Sequence, residues 1–235
     1  MRKSIKKIFF ISLFILGFVF LIYPKITNYL YDKKVNNLEK KYDDIIDKIA
    51  IDDNSNEQFI SLYNMLKEEN SKLYNNKQID FINQFVSYET PLIDLTKYGF
   101  DKNIIGFIEI PSIDVKLPIY LGANNQNMQY GAVHLTGSSY PIGGINTNSV
   151  IAAHRGYYKS TMFRHIDSIK SGDILYIKNF NGILEYKAVK TDIIKPNELE
   201  KLTISEGKDM ITIISCHPFP YNYQRYVVYF ERNNI

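Results

Sequence analysis

Apolar positions divide the chain into three stretches of different period. Ile8 to Tyr23, "IFFISLFILGFVFLIY", is almost wholly apolar and follows a basic "MRKSIKK". From Val35 to about Val86, apolar residues recur at three- and four-residue steps, the period of a helix with one buried face. Val35, Leu38, Tyr42, Ile45 and Ile49 form one series; Phe59, Leu62, Tyr63 and Leu66 form the next. "DDNSNEQ" interrupts them, and Ser55 with Gln58 reads as a capping box opening the second helix. A third helical piece is expected from Ile79 to Val86.

At Thr90-Pro91 the period changes. "IGFIEIPSIDVKLPIYLG" is rich in strand formers, with Pro111 and Pro118 expected at strand ends or edges, since proline cannot donate to a ladder. Further strands are expected around Val133 to Leu135, Ser149 to Ala153, Ile174 to Lys178, Ile183 to Ile194, Met210 to Ser215 and Tyr226 to Glu231. "SSYPIGGINTN", "SGD" and "NFNG" supply turns between them. One short helix is expected across "STMFRHIDSIK". About eight short strands with few helices predict a mainly β fold, a closed or nearly closed barrel.

Length and charge narrow the classes. A chain of 235 residues holds one compact domain plus an appendage. The net charge of +3 is small and scattered, which argues against a nucleic-acid partner. The apolar run is slightly short for a bilayer core of about 30 Å, and Tyr23, Tyr29 and Tyr31 extend it as interfacial residues. A cleaved signal peptide is the rival reading, but "PKITNYLYDKK" offers no A-x-A-like site after the run. The basic N-terminal tail is expected inside the cell and the rest outside. The expected divisions are a cytoplasmic tail at 1–7, a transmembrane signal anchor at 8–23, an extracellular helical stalk or N-terminal region at 24–90 and a catalytic barrel at 91–235.

An extracellular location bears on the chemistry. Cys216 is the only cysteine, so it has no intramolecular disulfide partner. It ends the apolar run "MITIIS", and Arg225 opens "YVVYF" nine residues later. If those runs are antiparallel neighbours, both side chains reach the same barrel edge. Cysteine acyl transfer needs a nucleophile, a proton donor and a cation or donor for the oxyanion, and arginine stays protonated. Four histidines compete for the proton role. His165 sits in the expected helix, His134 ends a short strand as a core residue would, and His217 points away from its neighbour Cys216 in an extended segment. His154 closes "SVIAAH" where the chain turns outward, the position of a rim residue. No Cys-x-x-Cys, His-Glu-x-x-His, acidic Ca loop or Gly-x-Ser-x-Gly elbow is present, and neither metal nor cofactor is expected.

From about Ile104 to Arg232 the chain resembles the sortases, membrane-anchored cysteine transpeptidases of Gram-positive bacteria. Four segments in order carry the resemblance: "IGFIEIPSIDVKLPIYLG", "GAVHLTGSSYPIGGINTNSVIAAHRG", "MFRHIDSIKSGD" and "ITIISCHPFPYNYQRYVV". It implies a closed eight-stranded sortase-like β-barrel, with Cys216 as nucleophile, His154 as proton donor and acceptor, and Arg225 stabilising the oxyanion. It further implies an LPXTG-like sorting signal as acyl donor and an amine acceptor, either a pilin lysine or a peptidoglycan precursor. The subgroup most similar is class C, the pilin polymerases, through "HLTGSSYPIGGINT" and the short Cys-to-Arg loop. Departures from that subgroup are the missing Asp-Pro-aromatic lid motif in "SYETPLIDLTKY", the end at "ERNNI" without a second apolar span, Ser215 in place of threonine, and Asn148 in place of histidine. Two other readings compete. An L,D-transpeptidase would carry its arginine two residues after a Gly-Cys pair. A membrane-tethered binding module would keep Cys216 only as a structural thiol.

Overall fold

The computed structural model describes residues 2–51, 53–83, 87–156 and 160–232, with the side chains of 2–5, 50, 51 and 53–55 also outside the description. A 50-residue helix, α1 (Arg2–Ile51), precedes α2 (Asp53–Asn75) and a single turn, α3 (Ile79–Ile82). Pro24 lies within α1, and the Thr27 hydroxyl donates to its carbonyl at 2.9 Å. The helical period of the sequence therefore runs into the apolar span without a break. Ser55 falls inside α2 rather than at its cap, which corrects the expected capping box: the helix begins two residues earlier, at Asp53. The third helix stops at Ile82, and Val86 lies outside the described residues.

Eight strands among the described residues close into a barrel. They are β1 (Ile104–Ile110), β2 (Val115–Leu121), β3 (Ala132–His134), β4 (Thr147–Ala152), β5 (Ile174–Asn179), β6 (Gly182–Ile194), β7 (Asp209–His217) and β8 (Gln224–Arg232). Their order around the barrel is β1-β2-β3-β4-β7-β8-β6-β5. Two pairs, β2/β3 and β4/β7, run parallel, and the rest are antiparallel. A six-residue helix, α4 (Asn125–Tyr130), connects β2 to β3, capped by the Asn124 side chain accepting from Asn127 N. Pro118 is inside β2 but at an edge of the ladder, one of the two positions expected for it. The ladder tolerates it because β3 joins β2 only from Ile119 onward, so Pro118 has its one register partner in Phe107.

Alternation along the strands builds two apolar layers. The barrel interior takes Ile108, Ile119, Ile151, Ile177, Ile213 and Phe230, all buried. The outer face of β4, β7 and β8 presents Val150, Ile214, Val227 and Tyr229, covered by Phe81, Leu199 and Leu202. Tyr88 packs on this second cluster, and its hydroxyl donates to Phe81 O at 3.1 Å. The chain before β1 is thereby strapped to the barrel. Ala123 N donates to Tyr88 O at 2.7 Å, and Gly122, at φ +84°, leaves room for the passing Glu89 carbonyl.

The first two helices form a third packing surface. Tyr42 stacks on Phe100 at 5.0 Å and meets Phe107 edge-on at 5.5 Å, while its hydroxyl donates to Ile105 O. Leu62 and Leu66 of α2 are fully buried in the same cluster. The short helix expected across residues 160–170 does not form. Only Ile166–Ser168 makes a 3-10 turn, and Met162 adopts φ +41°. Phe163 N donates to His154 O, and Met162, Phe163, Ile166 and Ile169 are all buried. Their helix-like spacing belongs to an irregular plug that needs four apolar contacts without a helix axis.

Candidate active site

The ends of β4 and β7 and the start of β8 bring together the three residues that sequence spacing singles out. Cys216 and Arg225 are direct register partners across the β7/β8 ladder. Such partners have Cβ atoms about 4.5–5.5 Å apart and share one face. In the parallel β4/β7 ladder, Ala152 is level with Ile214. Continuing that register by two residues sets His154 level with Cys216. Two hydrogen bonds hold the continuation: Ala153 N donates to Ile214 O at 3.3 Å, and the Ser215 hydroxyl donates to Ala153 O at 2.8 Å.

Strand parity decides the face. Val150, Ile214 and Val227 point outward into the second apolar cluster. Cys216 is two residues beyond Ile214, Arg225 two before Val227, and His154 four beyond Val150, so all three belong to that outer face. All three are half-buried. Burial holds the His154 imidazole below the ordinary histidine range, which favours its neutral form at rest. The Arg225 guanidinium donates to the carbonyls of Asn222 at 3.0 Å and Gln224 at 2.8 Å, fixing its stem within the β7–β8 connection. This is an arrangement that suits cysteine acyl transfer: a thiol, an imidazole just past the end of the neighbouring strand, and a permanent cation across the ladder.

The other histidines have visible employment elsewhere. His134 is 2% exposed and stacks on Tyr140, with Nε2 at 3.0 Å from Ser139 O and 3.2 Å from Ser138 O. Those two carbonyls assign the proton to Nε2. Burial pulls its pKa down to about 4. His165 is exposed at the edge of the 3-10 turn. His217 packs its ring on Tyr226 and receives a hydrogen bond at Nδ1 from Arg155. Asn148 is a tie between elements: its amide donates to Leu202 O and accepts from the Thr212 hydroxyl.

Arg155 is the residue that sequence reasoning missed. Its guanidinium is buried at 7% exposure beneath the site. It donates to Cys216 O at 3.3 Å, His217 Nδ1 at 3.1 Å and Arg164 O at 3.1 Å, and pairs with Asp167 at 2.5 Å. One side chain thus joins the nucleophile's strand to the loop that carries His154. An arginine directly after the histidine was the only sequence signal, and its partners lie up to 62 residues away. Among the described residues, no group of three or more His, Cys, Asp or Glu is placed to hold a metal.

Residues 108–233, more than half of the chain, match the family model described as Sortase, sortase domain. The sortase D of Bacillus subtilis (strain 168) is 31% identical over 130 residues, covering 54% of this chain and 63% of that protein. The chain thus spans less than two thirds of that relative's length. Among solved structures, sortase C1 of the group B streptococcal pilus island 1 is similar at a TM-score of 0.72 and 26% identity, over 85% of this chain and 98% of that one. Sortase C2 of the same pilus island is similar at 0.62 and 32% identity, over 78% and 99%.

Proposed function

This chain belongs to the sortase family, and we propose on that premise that it is a membrane-anchored cysteine transpeptidase. Cys216 is the nucleophile, His154 the proton carrier and Arg225 the oxyanion stabiliser. The observation that carries the reading is the register pairing of Cys216 with Arg225, with His154 level on the adjoining strand. His154, held neutral by burial, accepts the Cys216 proton as sulfur attacks the Thr–Gly carbonyl of an LPXTG-like signal. The tetrahedral oxyanion forms against Arg225. His154 returns the proton to the glycine nitrogen, the C–N bond breaks, and a thioester remains on Cys216. An incoming amine attacks that thioester and gives its proton to His154, and the sulfur leaves.

The amine is assigned to a pilin lysine, with a peptidoglycan precursor amine as the second reading. Two pilus-island sortases among the similar structures support the first. The Ser215 departure is mild by chemistry. The hydroxyl bonded to Ala153 O is the functional part, and threonine carries the same group. That α1 is a helix long and apolar enough to cross a bilayer supports the anchor, with the tail inside and the barrel outside.

Mass spectrometry of the full-length protein incubated with an LPXTG-type peptide tests the assignment. The expected result is a thioester adduct on Cys216 and loss of at least about 10³-fold in turnover for Cys216→Ala. Retained turnover in Cys216→Ala removes the nucleophile assignment and favours a binding module with a structural thiol. Faster transfer to a cross-bridge peptide than to a pilin-type lysine moves the enzyme to the anchoring reading.

A further inference from the structure

Strand directions place the β1–β2 turn, the ends of β4, β6 and β7 and the start of β8 at one end of the barrel, the end that holds Cys216. Contacts along α1 progress towards that end as residue numbers fall. Tyr42 bonds Ile105 at the remote end of β1, and Asp43 pairs with Lys178 at 2.7 Å. Glu39 reaches both Lys178 and Lys116. Asp32 and Asn36 then line a cleft with Pro111 and Asp114 of the β1–β2 turn. The Tyr31 hydroxyl donates to Tyr130 O at 2.8 Å, beside the start of β3. Last, Tyr23, Pro24, Thr27 and Asn28 share a cleft with Ser160, Thr161 and Arg164. Helix α1 therefore leaves the barrel at the Cys216 end, and its apolar run continues beyond.

The distances are short. From Tyr31 to Tyr23 a helix rises about 12 Å at 1.5 Å per residue. The segment 160–164 lies level with Tyr23, where the apolar run ends. Beside that segment is the β7–β8 connection. The Arg164 guanidinium stands 5.6 Å from the Phe219 ring. Three aromatic residues of this connection are bared to solvent: Phe219 at 55%, Tyr221 at 77% and Tyr223 at 63% exposed. Arg164 is an exposed cation beside it, and Lys25 is exposed on α1 next to Pro24, which shares a cleft with Arg164. Aromatic rings with basic neighbours at the level where a helix exits the hydrocarbon are the composition of an interfacial anchor.

We propose that the β7–β8 connection, through Phe219, Tyr221 and Tyr223, docks into the headgroup layer of the same bilayer that holds α1, so that the catalytic end of the barrel faces the lipid surface. The proposal rests on the membrane-anchor reading of α1. It gives the exposed aromatics a lipid partner through continuity with that helix; among the described residues, the opposite end of the barrel bares the aliphatic Ile145 and Ile183.

The protein contains no tryptophan, so one introduced residue reports alone. Full-length Tyr221→Trp, Phe219→Trp, Phe14→Trp and Ile145→Trp are reconstituted into vesicles of phosphatidylcholine and phosphatidylglycerol, with and without acyl-chain bromination. The expected result is emission loss from brominated lipid for Phe14→Trp, Tyr221→Trp and Phe219→Trp, and none for Ile145→Trp. Quenching of Phe14→Trp alone overturns the docking and leaves the anchor standing. No quenching at Phe14→Trp overturns the anchor and the docking together. Shielding of Tyr221→Trp from aqueous iodide without lipid quenching places a second copy or a peptide on the loop and also overturns the proposal.

Discussion

At the scale of single residues, the site depends on side chains whose work is to hold others still. Arg155 is a positioning residue: it bonds the Cys216 carbonyl and His217 from below and the loop bearing His154 from the side. Replacing it with alanine leaves Asp167 and three acceptors without their cation, at a cost of about 1–3 kcal/mol in stability. A loosened site is expected to lose about tenfold in kcat with KM little changed, because a small misplacement near the chemistry acts on the transition state. Arg155→Lys, which keeps the charge but not the planar fork, should recover stability more fully than kcat. Peptide turnover kinetics beside thermal unfolding of both variants checks this; equal loss and recovery of the two would make Arg155 a merely structural residue. His134 acts on stability through pH. Its folded pKa of about 4 lies below the ordinary value of 6.5, so the unfolded chain binds its proton first. Its contribution is therefore complete above pH 6.5 and is lost as pH falls towards 4, a change on the order of 3 kcal/mol. Urea titrations between pH 7 and 4 should show that slope, and His134→Gln should flatten it.

At the scale of elements, the helices before the barrel are part of its core and not a free stalk. Leu62 and Leu66 of α2 share one cluster with Phe100 and with the barrel's own Phe107. Leu62→Ala is expected to destabilise the whole barrel by about 2–5 kcal/mol, the range for a large-to-small change at a buried site. A single cooperative unfolding transition at lower denaturant would verify this. A separate early transition, with the barrel's midpoint unchanged, would mean that α2 folds apart from it. The ion pairs of Glu39 and Asp43 with Lys116 and Lys178 add orientation more than energy, since each is partly exposed and screened. The expected helix in 160–170 failed for an instructive reason. Its apolar spacing matched a helix, but the residues plug the barrel end from a turn-rich segment anchored by His154 O.

At the scale of the whole molecule, one continuous helix joins the apolar run to a barrel whose proposed site lies at the near end. The strands were legible along the chain, because runs of strand-forming residues and turn residues are local signals; β5 to β8 fall within two residues of where those signals set them. The sequence by itself also determined the trio of Cys216, Arg225 and His154 as candidates. The spacing of the first two across a short loop is local, but choosing His154 over His217 drew on family resemblance. Tertiary structure alone decided what crosses the sheet. Parallel pairing of β4 with β7 sets His154 level with Cys216, and no spacing along the chain encodes a ladder between strands 62 residues apart. Arg155, bonded to partners on three segments, was invisible for the same reason. The Cys216 end of the barrel points along α1 towards the apolar run because packing of Tyr31 on α4, Glu39 on β5 and Tyr42 on β1 fixes the helix direction. Those contacts join residues up to 139 positions apart, where a linear pattern carries no phase.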